Sequence, residues 1–204
     1  MGLCIGLKDN DNVYIGVNSH MYSDIVSAFN KNNFKVWNME NVDNAIMGCQ
    51  GGIRYANAVK AVDDFISDYD VFKDSVDFEF VLRNIAFRIK EVLSGECFVK
   101  RENGVFKSLN SSYMFGYKDK LYEISSDLSV CEIEDYSCLG SGTDEAIGSL
   151  ESSVGEDPYK RIEKALKAAL KTDKTIFYPF IILDTKNQRF KIIKDPRSKK
   201  KGDD

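Results

Sequence analysis

The side chains that could do chemistry here are defined first by a scarcity. The chain has one histidine, His20, and five cysteines, Cys4, Cys49, Cys97, Cys131 and Cys138. An odd number of scattered thiols without a C-x-x-C pair reads as reduced cysteines, not as a disulfide framework. A lone imidazole removes most zinc sites and most Ser-His-Asp arrangements, so no metal and no cofactor are expected. An enzyme made from this chain would need a base other than histidine. Two glycine-rich junctions stand out, Gly48-Cys49-Gln50-Gly51-Gly52 and Leu139-Gly140-Ser141-Gly142. Glycines there can serve a tight strand-to-helix turn, and Ser141 can cap the helix that follows. Lys35 on its own reads as a solvated strand lysine, and Asn18 as a turn or hydrogen-bonding residue. Cys4 reads as a small buried hydrophobe, the commonest fate of a free cysteine.

Composition narrows the class of partner. The 204 residues are 43% hydrophobic and 29% charged, an ordinary globular balance that fits one domain. Twenty-eight basic against thirty-two acidic residues give a net charge of −4, too little positive field to hold a phosphate backbone. No nucleic-acid partner is expected. Nor is a membrane, because no apolar run approaches the ~18 residues a span requires. The opening MGLCIGLKDN lacks a basic segment followed by an apolar one, which disfavours secretion and points to the cytoplasm. Residues 1–196 read as one domain and residues 197–204 as a charged, disordered tail.

The elements that must position these residues follow from periodicity. Cys4 to Lys8 and Val13 to Val17 are β-prone runs around Asp9-Asn10-Asp11-Asn12, residues that tolerate left-handed turns. Phe34 to Trp37 and Asn44 to Met47 form a second pair. Tyr55, Val59, Val62, Phe65, Ile66 and Tyr69 then recur at three- and four-residue steps, predicting a helix. A second helix carries Phe78, Leu82, Ile85, Ile89 and Val92, with Ser75 as cap and Gly95 as stop. Tyr113 to Tyr117, Leu121 to Ile124 and Val130 to Ile133 predict an antiparallel meander. A third helix follows Gly140-Ser141-Gly142, and Asp157-Pro158 opens a fourth. Thr175 to Leu183 and Phe190 to Ile193 are the last strands. Two antiparallel sheets face to face, each covered outside by a helix pair, would bury every one of these stripes. The expected fold is α+β, a four-layer α-β-β-α sandwich.

That order, with Val13-Tyr14-Ile15-Gly16-Val17-Asn18-Ser19-His20, Phe34-Lys35-Val36 and the two glycine junctions, resembles the proteasome β-type N-terminal-nucleophile hydrolases. The look is nearest to HslV and other bacterial proteasome homologues, over most of residues 2 to 194. The resemblance implies amide-bond hydrolysis by an N-terminal Thr, Ser or Cys whose own α-amine is the base. Histidine is then unnecessary. It also implies that a lysine tunes the site, and Lys35 falls at that position. Gly51 falls at the oxyanion turn, Ser141 at the Gly-Ser-Gly serine, and Asp173 at an assisting aspartate. The serine usual three residues later is Ile176 here, and the family's first aspartate is Asn18. Counting back from Asn18 by the family spacing lands on Gly2, which has no side chain to attack with.

Three expectations for the start of the chain follow. Gly2 is the mature N-terminus and threonine chemistry is lost; or residues 1–3 are removed and Cys4 becomes an N-terminal thiol nucleophile; or Cys4 is simply buried. Cys4 shares strand parity with Gly2, so both belong to one face. The first expectation implies a non-catalytic homo-oligomeric ring component. The second implies a cysteine-type hydrolase acting on a peptide, an unfolded protein or a small-molecule amide.

Overall fold

The computed structural model describes residues 2–18, 34–62, 75–95 and 98–197. His20, Cys97, the predicted helical stripe beyond Val62 and the lysines of the tail lie outside the described residues.

Twelve strands and four helices occur among the described residues. The opening hairpin is β1 (Leu3–Asp9) and β2 (Asn12–Asn18), with Asn10 at φ 54° in the turn. Next come β3 (Val36–Asn38), β4 (Ala45–Gln50) and α1 (Ile53–Lys60). Helix α2 starts at Phe78–Phe80, widens into a π-helical stretch over Val81–Ala86 and returns to α geometry over Phe87–Val92. Its cap is Asp77, whose carboxylate accepts the Phe80 N–H at 2.9 Å. Ser75, the expected cap, instead donates to Asp77 at 3.2 Å. A short hairpin, β5 (Val99–Glu102) and β6 (Val105–Leu109), precedes the meander β7 (Ser112–Tyr117), β8 (Lys120–Ile124) and β9 (Val130–Ile133). The remainder is β10 (Tyr136–Gly140), α3 (Thr143–Ser152), α4 (Pro158–Thr172), β11 (Phe180–Asp184) and β12 (Lys191–Ile193). Asp157 caps α4 through the Lys160 N–H, and Pro158 occupies the first turn, where its missing N–H costs nothing.

The strands form two five-stranded antiparallel sheets. One runs β10-β1-β2-β11-β12 and the other β3-β4-β7-β8-β9. Three apolar layers bind them, as the alternation of side chains along each strand requires. Cys4, Val13, Ile15, Val17, Val36, Ile46, Met114 and Leu121 meet between the sheets. Leu3, Ile5 and Leu7 point the other way, against Ala146 and Leu150 of α3 and Ile162, Leu166 and Ala169 of α4. Trp37, Met47, Tyr113 and Phe115 pack outward against Val59 of α1 and Val81, Ile85 and Ile89 of α2. The arrangement is the four-layer sandwich. Strand β10 lies after the predicted meander and belongs to the other sheet, pairing with β1, Leu3 opposite Gly140.

Candidate functional site

The site is built where the chain begins, at the end of the inter-sheet layer. Strand β1 lies between β10 and β2 in its sheet, so its first residues are clamped on both sides. On one side the Gly2 carbonyl accepts the Ser141 N–H at 3.2 Å. On the other the Leu3 N–H donates to Asn18 Oδ1 at 2.7 Å. Asn18 ends β2, is fully buried, and its Nδ2 donates to the Thr175 carbonyl at 3.4 Å. Thr175 N–H in turn donates to Asp173 Oδ1 at 2.6 Å, where α4 has just ended. Gly2, Asn18, Ser141 and Asp173 therefore belong to one connected set, through Thr175.

Lys35 enters from the facing sheet. Its carbonyl accepts the Cys49 N–H at 2.7 Å, which fixes the residue beside β4. Its side chain is fully buried and Nζ has no hydrogen-bond partner among the described residues. A methyl group added to Gly2 would sit 2.5 Å from this Nζ and 2.9 Å from Asn18 Oδ1. The lysine amine thus reaches the space that a side chain at position 2 would need. Burial pulls its pKa below the ordinary lysine value, opposed only in part by the Cys49 and Cys4 sulfurs. An aspartate at position 18 would stabilise the ammonium, and Asn18 brings no charge to do so.

The other expected residues are placed as follows. Cys4 lies two residues along β1 from Gly2, wholly buried in the inter-sheet layer, its thiol held protonated chiefly by burial and then by Cys49. Cys49 is pushed up to about 12, again mainly by burial. Gly51 follows β4 at φ 142°, a conformation that L side chains avoid, and packs on Ser111. Its neighbour Gln50 lies against Gly140, which pairs with Leu3 across the sheet. Ser141 is not the cap of α3. Gly142 is, at φ 70° and with no side-chain capping bond. Ser141 instead serves the Gly2 carbonyl through its N–H. Asp173 is held below the usual carboxylate range by the Thr175 side chain and N–H, with a smaller contribution from Ser141.

Sequence reasoning passed over three residues of this set. Gly140 adopts φ 113°, and a Cβ there would run into the Gly2 carbonyl oxygen, so only glycine lets the two backbones meet. The Gly-Ser-Gly triplet was visible, but its first glycine carries this role. Gln50 sat inside the other glycine junction. Thr175 offers its backbone, which no side-chain pattern announces.

Neither a family model nor a curated protein matches this sequence. Solved structures match in shape. BPH from Thiobacillus denitrificans, in complex with epoxomicin, superposes with a TM-score of 0.65 at 12% identity, over 89% of this chain and 97% of that one. Eukaryotic HslV from Trypanosoma brucei gives a TM-score of 0.60 at 16% identity, over 89% and 98%. The fold is that of the proteasome β-like N-terminal-nucleophile hydrolases. A Gly-1 mutant of Anbu from Hyphomicrobium sp. strain MC1 shares this proteasome β-like fold at a TM-score of 0.66 and 11% identity, over 96% and 88%. At such identities the likeness speaks for the backbone alone, and the chemistry of this chain rests on its own side chains. No helix among the described residues is long and apolar enough to cross a membrane.

Proposed function

We propose that this chain is a proteasome β-like protein of peptidase ancestry whose nucleophile has been lost, and that it serves as a non-catalytic component of a self-assembled ring. One observation carries the reading. Lys35 Nζ ends 2.5 Å from where a side chain at position 2 would begin, and that position is glycine. A nucleophile on Gly2 is absent by composition, and the space for one is taken. The exchange of an ionic partner for Asn18 fits the same history, because a lysine that no longer tunes a nucleophile no longer needs its charge fixed. Gly140 and Ser141 still hold the Gly2 carbonyl, so the scaffold outlasts the chemistry. Peptide or unfolded-protein substrates would meet a surface and not a reacting group.

A second reading is favoured by the position of Cys4, whose thiol lies close enough to Lys35 to feel its charge. Removal of residues 1–3 would give Cys4 a free α-amine and make an amide hydrolase of the cysteine type. Leu3 opposes that step. It is fully buried against α3 and α4, and it pairs with Gly140. Intact mass of the purified protein decides between the two. The first reading expects a chain beginning at Met1 or Gly2, and epoxomicin, which the Thiobacillus protein binds, should leave its mass unchanged. Iodoacetamide on the native protein should alkylate exposed Cys131 and spare Cys4. A chain beginning at Cys4, with that thiol labelled, replaces the first reading by the second. Light scattering tests assembly: a monomer or dimer would remove the ring and favour a small-molecule amidohydrolase.

A further inference from the structure

We propose that copies of this chain join head to tail, the acidic side of one sandwich against the basic side of the next. This rests on the reading that the chain self-assembles, and it names the surfaces that meet. In the stacked sheets β8 lies over β1, β4 over β2 and β3 over β11. The edge strands β9 and β10 therefore share one lateral side, and β12 is the edge of the first sheet on the other. Residues 130–140, which hold β9, β10 and the turn between them, carry Glu132, Glu134 and Asp135 and no lysine or arginine. All three acids are exposed, and none forms an ion pair among the described residues. The Asp135 carbonyl accepts the Lys8 N–H at 2.6 Å, and the Ser137 hydroxyl donates to the Glu123 carboxylate at 2.5 Å, which fixes this side to β1 and β8.

The opposite side has the opposite sign. Residues 185–194, the β11–β12 turn with β12 and Lys194, carry four basic residues and no acid. Lys186 pairs with Asp11, whereas exposed Arg189 and Lys191 have no carboxylate partner among the described residues. Ile192, 39% exposed, stands beside Lys191 as an apolar centre. The helix layer repeats the division. Helix α3, packed on β10, carries three acids and no base, while α4, which reaches β11, carries five bases against Glu163. Charges on an edge strand guard it against stray pairing whichever sign they have. Guarding does not require one sign on each side. Segregation lets unlike sides attract and makes like sides repel, which favours head-to-tail over symmetric pairing. Such a contact is heterologous, and repeated it closes into a ring or runs on as a filament.

Light scattering of the native full-length protein tests this. Assembly should be weaker in about 0.5 M sodium chloride than in about 0.05 M, because exposed charges are screened there. Glu132→Lys, Glu134→Lys and Asp135→Lys together make both sides basic, and Arg189→Glu with Lys191→Glu makes the second side acidic like the first. Each variant alone should assemble at least about tenfold more weakly than wild type, since attraction is turned into repulsion. An equal mixture of the two should assemble again as alternating neighbours, which also shows that both are folded. Wild-type assembly that ignores salt overturns the proposal with no variant needed. So do variants that each assemble alone as well as wild type. In both cases the ring stands and only its surfaces are wrong. A monomeric wild type at low salt removes the self-assembly beneath the proposal instead.

Discussion

Replacing Lys35 by methionine should stabilise the protein, and the size of the gain follows from what the lysine leaves undone. The methionine side chain keeps an unbranched stem of similar length and deletes the amine. That amine is buried without a hydrogen bond to any of the described residues. An unsatisfied buried polar group costs about 1–3 kcal/mol, so Lys35→Met should recover a comparable amount. For a chain of this size, each kcal/mol moves Tm by roughly 2–4 °C. The pH dependence separates this cause from better packing. Lys35 has a folded pKa below its unfolded value, so between the two the unfolded chain binds more protons and wild-type stability rises with pH. Below the folded pKa the ionisation-linked part of the penalty is at its full size, and above the ordinary lysine value only the cost of the unpaired neutral amine remains. The advantage of Lys35→Met should therefore be larger at pH 6 than at pH 9.5. Paired thermal melts, backed by urea titrations, measure it. A variant that is less stable than wild type at pH 6, or an advantage that ignores pH, would show that Lys35 is charged and compensated, and would refute the reasoning.

Two other substitutions probe the same corner. Gly140→Ala should lose about 2 kcal/mol or more, because a Cβ at φ 113° is strained and strikes the Gly2 carbonyl. Hydrogen exchange should locate the damage at the Ser141 amide, and unchanged protection there would argue against the contact. Asn18→Asp should give Lys35 an anionic neighbour and raise its pKa, which flattens the rise of stability with pH that lowered Lys35 ionisation gives the wild type. The same change replaces the donor to the Thr175 carbonyl by an acceptor, so some stability is lost. A stability–pH slope unchanged by Asn18→Asp would mean that the two side chains do not share a field.

The sheets were legible because alternation is a local signal. Val13, Ile15 and Val17 against Tyr14, Gly16 and Asn18 predict a strand with a face in the inter-sheet layer, and the structure puts that face there. Asp157-Pro158 announced α4 by capping chemistry alone. Strand β10 was missed because Tyr136 to Gly140 is only partly buried, with no strong alternation to mark it. Its partner also lies more than a hundred residues away. At the site, Gly2, Asn18 and Lys35 could be named in advance because a family spacing relates them. That Lys35 would stand beside the opening residues was implied by the resemblance, whereas the close approach of its Nζ, 2.5 Å from the Cβ position of residue 2, depends on how two sheets stack. Ser141 shows the limit best. Its hydroxyl suggested a cap, and its backbone N–H is what holds Gly2.

Strand β2 lies between β1 and β11, with Asn18 opposite Phe180. Far down the same pair, Asn12 and Thr185 join through their side chains, while Asp184 receives Asn12, Asn187 and Tyr159. A nascent polypeptide leaving the ribosome therefore makes its first hairpin early but cannot fasten it until the final strands emerge. Until β11 arrives, β2 has no partner on the side away from β1.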